Sequence, residues 1–170
     1  DQYQSGHFTR FVGTRALMYI NQKDGTFLEQ SAELGIEHTG MGRGLACYDY
    51  DRDGDIDLLI ANNGASPTLY RNDSDAQSKH FINIRLKGLR ENPQAVGARI
   101  YLKTSGTNQM RELQLGNHFV SQNPVEAHFG LDGSETIEEV RIQWPGTSTD
   151  DSVITNLEVD RFVVVHHPDL

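Results

Sequence analysis

Short apolar or alternating runs recur along the chain, each closed by Gly, Asn, Asp or Pro, and this period-two pattern predicts strands. The expected strands are Leu17–Ile20, Leu45–Asp49, Asp57–Ala61, Thr68–Arg71, His80–Lys87, Ala98–Lys103, Met110–Gln114, Val125–Phe129, Ile137–Gln143, Ser152–Thr155 and Arg161–His166. A single helical turn is expected at Ser31–Leu34, with Ser31 as its cap and Glu33 at its positive end. No other segment holds a 3.6-residue period. Strands and turns spaced this way predict an all-β sandwich, barrel or set of propeller blades.

The segment Gly13–Asn21 aligns with Gly64–Asn72 at a constant offset of 51 residues, with Gly13/Gly64, Tyr19/Tyr70 and Asn21/Asn72 identical. An earlier copy of anything found near residue 49 would then lie before residue 1. Residues 73–79 are polar and aperiodic, as a linker is, so two units are expected: 1–75, derived from a repeat, and 80–170, a small β domain.

Composition narrows the class. The net charge is −9, opposite in sign to the basic stripe that displaces counterions from nucleic acid, so no nucleic-acid partner is expected. No apolar run approaches the roughly 20 residues of a membrane span. The chain opens at Asp1 without a methionine, and a processed or excised piece is expected. The lone Cys47 sits in an apolar stretch with no basic neighbour, which predicts a buried, inert thiol.

The acids are concentrated: Asp49, Asp51, Asp53, Asp55 and Asp57 fall in nine residues, in the form D-x-D-x-D-G-x-x-D with Gly54 at the turn. Calcium takes six to eight hard oxygens at about 2.3–2.6 Å, and alternate residues of a curled loop can aim carboxylates inward. Asp49, Asp51 and Asp53 are expected to converge. Asp55 would offer its backbone carbonyl while its side chain faces solvent, and Asp57 would close the shell. Two carboxylates about 5 Å apart repel by roughly 3 kcal/mol at an effective dielectric near 20. Four converging carboxylates therefore call for a cation, and calcium suits the site better than magnesium, which retains its waters. An EF-hand would need Glu at position twelve and flanking helices. Ile60 stands there, and Leu58–Ala61 is strand-like, so the loop joins two strands as a structural site.

From these residues a resemblance follows. Tyr48–Asn72 (YDYDRDGDIDLLIANNGASPTLYRN) resembles an FG-GAP/VCBS repeat of integrin-like propellers, and Tyr19–Phe27 running on to Ser31–Ile36 is similar to the part between such loops. From about Phe81 the chain resembles the ASPIC/UnbV domain of the cartilage acidic protein family, through Val96–Ile100, Gln114–Gly116, Ser121–Pro124, His128–Leu131 and Val140–Gly146. Gly116-Asn117-His118 departs from the small residues usual in that turn. The resemblance implies partial propeller blades with a calcium loop, then a small antiparallel β-sandwich or barrel-like domain. It implies a secreted or cell-surface protein whose calcium ligands are Asp49, Asp51, Asp53, Asp55 (carbonyl) and Asp57. One and a fraction blades imply the C-terminal fragment of a longer propeller.

The function expected is a calcium-stabilised, non-catalytic extracellular adhesion or recognition module with a protein or glycan ligand. Exposed strand edges of an uncapped blade would allow self-association. The alternative is a polysaccharide-acting enzyme or carbohydrate-binding accessory domain with structural calcium. A hydrolase would need two carboxylates in one cleft, and Glu112, Glu126 and Glu138 read as scattered. His118 could face His128, but no nucleophile accompanies them. His166 and His167 would point to opposite faces of a strand. Trp144 is expected in the core, with a sugar-stacking platform as its alternative. Asn72-Asp73-Ser74 is an N-glycosylation sequon.

Overall fold

The computed structural model describes residues 15–74, 79–146 and 150–170. Gly13 and Thr14 of the first repeat copy, and residues 75–78 of the expected linker, lie outside them. The described residues form twelve strands in four small sheets, with no helix among them.

The first sheet is a hairpin of β1 (Tyr19–Asn21) and β2 (Phe27–Glu29). Its turn is built by side chains. Asn21 Oδ1 accepts from the Lys23 amide, Asp24 Oδ1 accepts from the amide and hydroxyl of Thr26, and Gly25 takes φ +91°. β2 was not expected; its three residues are too few to show a period, and cross-strand pairing defines it. One hydrogen-bonded turn follows at residues 31–35, with Leu34 N donating to Gln30 O. Ser31 does not cap it. Its hydroxyl is fully buried and accepts from Met18 N at 2.6 Å, tying the turn to β1 instead.

The second sheet runs β3 (Gly42–Tyr48), β4 (Asp57–Asn62) and β5 (Thr68–Tyr70), antiparallel in that order. β3 starts three residues before the expected Leu45 and stops at Tyr48, leaving Asp49 to the loop. This half has little core. Ile36 and Ile60 are buried, whereas Leu17, Tyr19, Phe27 and Leu28 are more than half exposed.

The remaining strands carry the main core. β6 (His80–Lys87), β9 (Ala127–Asp132) and β12 (Arg161–His166) form one sheet in the order β12-β6-β9. β7 (Arg99–Lys103), β8 (Asn108–Glu112), β10 (Thr136–Gln143) and β11 (Ser152–Glu158) form another in the order β11-β10-β7-β8. Ile82, Ile84 and Leu86 of β6 and Phe129 of β9 meet Ile100, Leu102, Val140 and Ile142 of the other sheet in one buried cluster. Burying each such side chain contributes roughly 1.5–3 kcal/mol.

One pairing departs from the antiparallel expectation: β12 lies parallel to β6. After β11 the chain steps from one sheet to the other through Val159 and Asp160, and a crossover of this kind delivers a parallel neighbour. Asp160, at φ +56°, seals the step by donating its amide to Phe81 O. Trp144 is 5% exposed within the core and donates Nε1–H to Ser152 Oγ, as its core assignment required. His167 is buried against the Trp144 ring while His166 is exposed, so the two point apart as expected.

Candidate metal centre and the surfaces around it

Pairing of Tyr48 with Asp57 closes β3 and β4 around residues 49–56, and this forces the intervening chain into a tight curl. Gly54 takes φ +104°, a conformation L side chains rarely adopt, and Arg52 sits at φ +63°. Backbone amides then hold the acids. Asp49 accepts from Asp53 N at 3.2 Å and Gly54 N at 2.9 Å. Asp57 accepts from Tyr50 N at 3.0 Å and Asn72 N at 2.8 Å, one through each oxygen.

The curl brings one oxygen each of Asp49, Asp51 and Asp57 within 4.8 Å of one another. Asp57 is fully buried, Asp49 is 6% exposed and Asp51 is exposed. At that spacing each pair repels by about 3.5 kcal/mol at an effective dielectric of 20, less where Asp51 meets water. Burial pushes the Asp49 carboxyl above its usual range, and the Asp53 charge adds to the push against the stabilising amides of Gly54, Arg52 and Asp53. A carboxylate oxygen has two lone-pair directions, so Asp49 and Asp57 can serve a backbone amide and a cation together.

One expected carboxylate ligand sits differently. The Asp53 carboxylate is outside the group of three and accepts from Asp55 N, an Asx turn that shapes the loop. The Asp55 side chain, expected to point away while its backbone carbonyl serves, accepts from Ser74 Oγ at 2.8 Å. Alternation places side chains on one side of an ideal strand, but the positive φ of Arg52 and Gly54 rotates the chain out of phase after Asp51.

Residues outside the motif complete the loop. Asn72 donates its amide to Asp57 and its side chain to Ile56 O, while its own Oδ1 accepts from Ser74 N. The repeat held the clue: Asn21, its counterpart 51 residues earlier, makes the same bond to the amide two residues on. The sequon side chain is thus engaged in the fold.

The loop apex rests on aromatic rings of β6 and β12. A side-chain carbon at Gly54 would come within 2.4 Å of Phe81, and the Arg52 guanidinium lies 5.3 Å from the Phe162 ring centre. Phe81 meets Phe162 edge-on at 5.6 Å and stacks on His128 at 5.9 Å. On the opposite flank, the outer edge of β3 is covered from within the chain. Leu45 N donates to Ser121 Oγ, Ser121 Oγ donates to Leu45 O, and Cys47 N donates to Asn123 Oδ1. Polar side chains there replace a neighbouring strand.

Candidate catalytic groups are arranged otherwise than expected. His118 Nε2 bonds Asn123 Oδ1, and His128 is held against Phe81. Burial, and then the Arg111 charge, pushes His128 below its usual range. Glu112 and Glu126 are not scattered: both line one cavity, brought together by the β7–β8 hairpin and the segment entering β9. Each is held by an arginine, Arg99 for Glu112 and Arg85 for Glu126, at 2.9 Å. Glu138 lies apart, paired with Lys103. Cys47 is half-buried and burial pushes its thiol upward, in keeping with an inert group. No helix among the described residues is long and apolar enough to cross a membrane.

Residues 88–170 match the family model described as "ASPIC and UnbV". Over 160 residues, 91% of this chain, the sequence is 25% identical to cartilage acidic protein 1 of Mus musculus, covering 24% of that protein. Over 68 residues, 39% of this chain, it is 32% identical to cartilage acidic protein 1 of Homo sapiens, covering 10% of it. The chain thus spans at most about a quarter of the length of these curated relatives. Residues 88–170 thus carry the ASPIC and UnbV match, and similarity to cartilage acidic protein 1 extends over 91% of the chain.

Proposed function

We propose that the protein is a calcium-stabilised, non-catalytic extracellular recognition module. In this reading residues 1–75 form part of an FG-GAP/VCBS-like propeller whose last loop is clamped by the ion. The carrying observation is the convergence of Asp49, Asp51 and Asp57 within 4.8 Å, two of them buried, in a loop bent by Gly54 at φ +104°. The donor group is all carboxylate, with no imidazole or thiolate, which favours a hard cation over zinc or copper. Asp49, Asp51 and Asp57 would hold the ion with carboxylate oxygens, and the ion would supply the positive charge the loop lacks.

Similarity to proteins named for cartilage supports secretion. The affinity expected is that of extracellular modules, ~10⁻⁴–10⁻³ M. Calorimetry in calcium and in chelator tests the reading. The melting temperature should rise with calcium, and an unchanged value would overturn it.

The cavity shared by Glu112 and Glu126 favours a second reading, a carbohydrate-binding accessory domain. Turnover is the weaker half of that alternative. The Arg99 guanidinium beside Glu112 holds its carboxyl below the usual range, which removes a neutral acid able to protonate a leaving group near pH 7.

A further inference from the structure

A cavity of about 360 Å³ opens where the acidic loop meets the C-terminal unit, with Cys47 and Asp49 on one side and Asn83, Glu112, Asn117, Asn123 and Glu126 on the other. Its volume is within the range of small-ligand sites, about 300–1,000 Å³, and junctions between units are where such sites concentrate.

The polar groups there are committed in a particular way. Asn123 Oδ1 accepts from Cys47 N and bonds His118, and Asn117 Oδ1 accepts from Asn123 N. A backbone N–H needs an acceptor, so these bonds fix which end of each amide is oxygen. Both NH₂ groups are left without a hydrogen-bond acceptor among the described residues. Asn83 is buried and donates to Glu126 Oε1 at 3.1 Å, while Arg85 takes the other oxygen. Glu112 gives one oxygen to Arg99. The cavity therefore offers amide donors beside carboxylate acceptors.

Charge decides what such a set can hold. Both glutamates are neutralised by arginines, and Arg111 also lines the cavity. An added cation meets those guanidinium groups, and an added anion meets Glu112, Glu126 and Asp49. A hydroxyl suffers neither penalty, because it donates to a carboxylate and accepts from an amide at once. Leu113, Pro124 and Val125 line the same cavity and suit the C–H face of a ring.

We propose that this cavity binds a neutral sugar residue, and that it is the recognition site of the module. The proposal rests on the recognition reading above but not on the identity of the ion. The sugar is bound and released unchanged.

The test is a titration of the isotope-labelled chain with glucose, galactose, mannose, xylose and N-acetylglucosamine, followed by amide resonance shifts. Glucuronate and a sulfated sugar serve as charged comparators. Saturable shifts at residues 112–126 with at least one neutral sugar are expected, with Kd on the order of 1 mM. The variant Asn117→Asp keeps the oxygen that receives Asn123 N and removes the NH₂; Asn123→Asp does the same for Cys47 N. Each should weaken binding by about tenfold while the spectrum stays folded. Absence of shifts with every neutral sugar, tighter binding of either charged comparator, or unchanged affinity in both variants would each overturn the proposal. A parallel series in chelator separates the two readings. Sugar binding without a calcium effect on melting removes the calcium reading alone; a calcium effect without sugar shifts removes this one alone.

Discussion

Asp51→Asn separates the two roles the acidic loop combines. Asp51 is exposed, and none of its carboxylate oxygens takes a hydrogen bond from a described residue, so its place in the cluster is its main contribution. Without metal, the substitution removes two of the three carboxylate repulsions. Each is about 3.5 kcal/mol at a dielectric of 20, but exposure and salt reduce the total to on the order of 1 kcal/mol. The metal-free variant should therefore be as stable as the parent or up to about 1 kcal/mol more so. With calcium the effect reverses in kind. At about 10 mM calcium and a Kd of ~10⁻⁴–10⁻³ M, the parent gains about 1.4–2.7 kcal/mol by mass action. Losing one carboxylate and weakening Kd about tenfold reduces that gain to about 0.4–1.4 kcal/mol. Urea unfolding in chelator and in calcium measures both increments, and about 1 kcal/mol corresponds to roughly 2–4 °C in melting temperature for a chain of this size. An undiminished calcium increment in the variant, or a metal-free variant clearly less stable than the parent, would refute the reasoning.

Gly54→Ala should destabilise by about 2–4 kcal/mol, since it combines φ +104° with a carbon 2.4 Å from Phe81; made in a Phe81→Ala background, the same change should cost less by the steric part only, so no cost at all there would show the backbone strain to be negligible. Burial holds the folded His128 pKa below the ordinary value of about 6.5, so the unfolded chain takes up its proton first; its contribution is complete above about pH 6.5 and is lost as pH falls. His128→Phe keeps a ring on Phe81 and should flatten that acid-side loss, and an unchanged stability–pH slope in the variant would count against it. Native Cys47 should react with an alkylating reagent more slowly than the same thiol in urea, because burial both covers it and pushes its pKa up; equal rates would remove the inert assignment.

How much of this was legible beforehand varies with the reach of the forces involved. β6 takes the bounds the pattern predicted because its alternating Ile82, Ile84 and Leu86 record burial directly, and β12 takes them from an unbroken run of Phe and Val, although Phe162 and Val164 stay exposed. The acidic loop was legible for the same reason: the ordered acids and Gly54 state a local conformation that only glycine adopts freely. β2 was not, since three residues carry no period, nor was the Ser31 bond to Met18, since capping and distant contacts draw on the same hydroxyl.

By itself, then, the order of residues determined an all-β chain, a curled carboxylate loop between two strands and a core place for Trp144. All follow from contacts within a few positions or from a face repeated along a strand. The tertiary structure alone decided that the Asp53 carboxylate stays outside the cluster, that β12 joins β6 in parallel, and that Phe81 supports Gly54. It also decided that Glu112 and Glu126 share a cavity. Each of these depends on groups far apart along the chain, or on a dihedral that swings one side chain out of phase. Neither leaves a trace in the local alternation of polar and apolar residues.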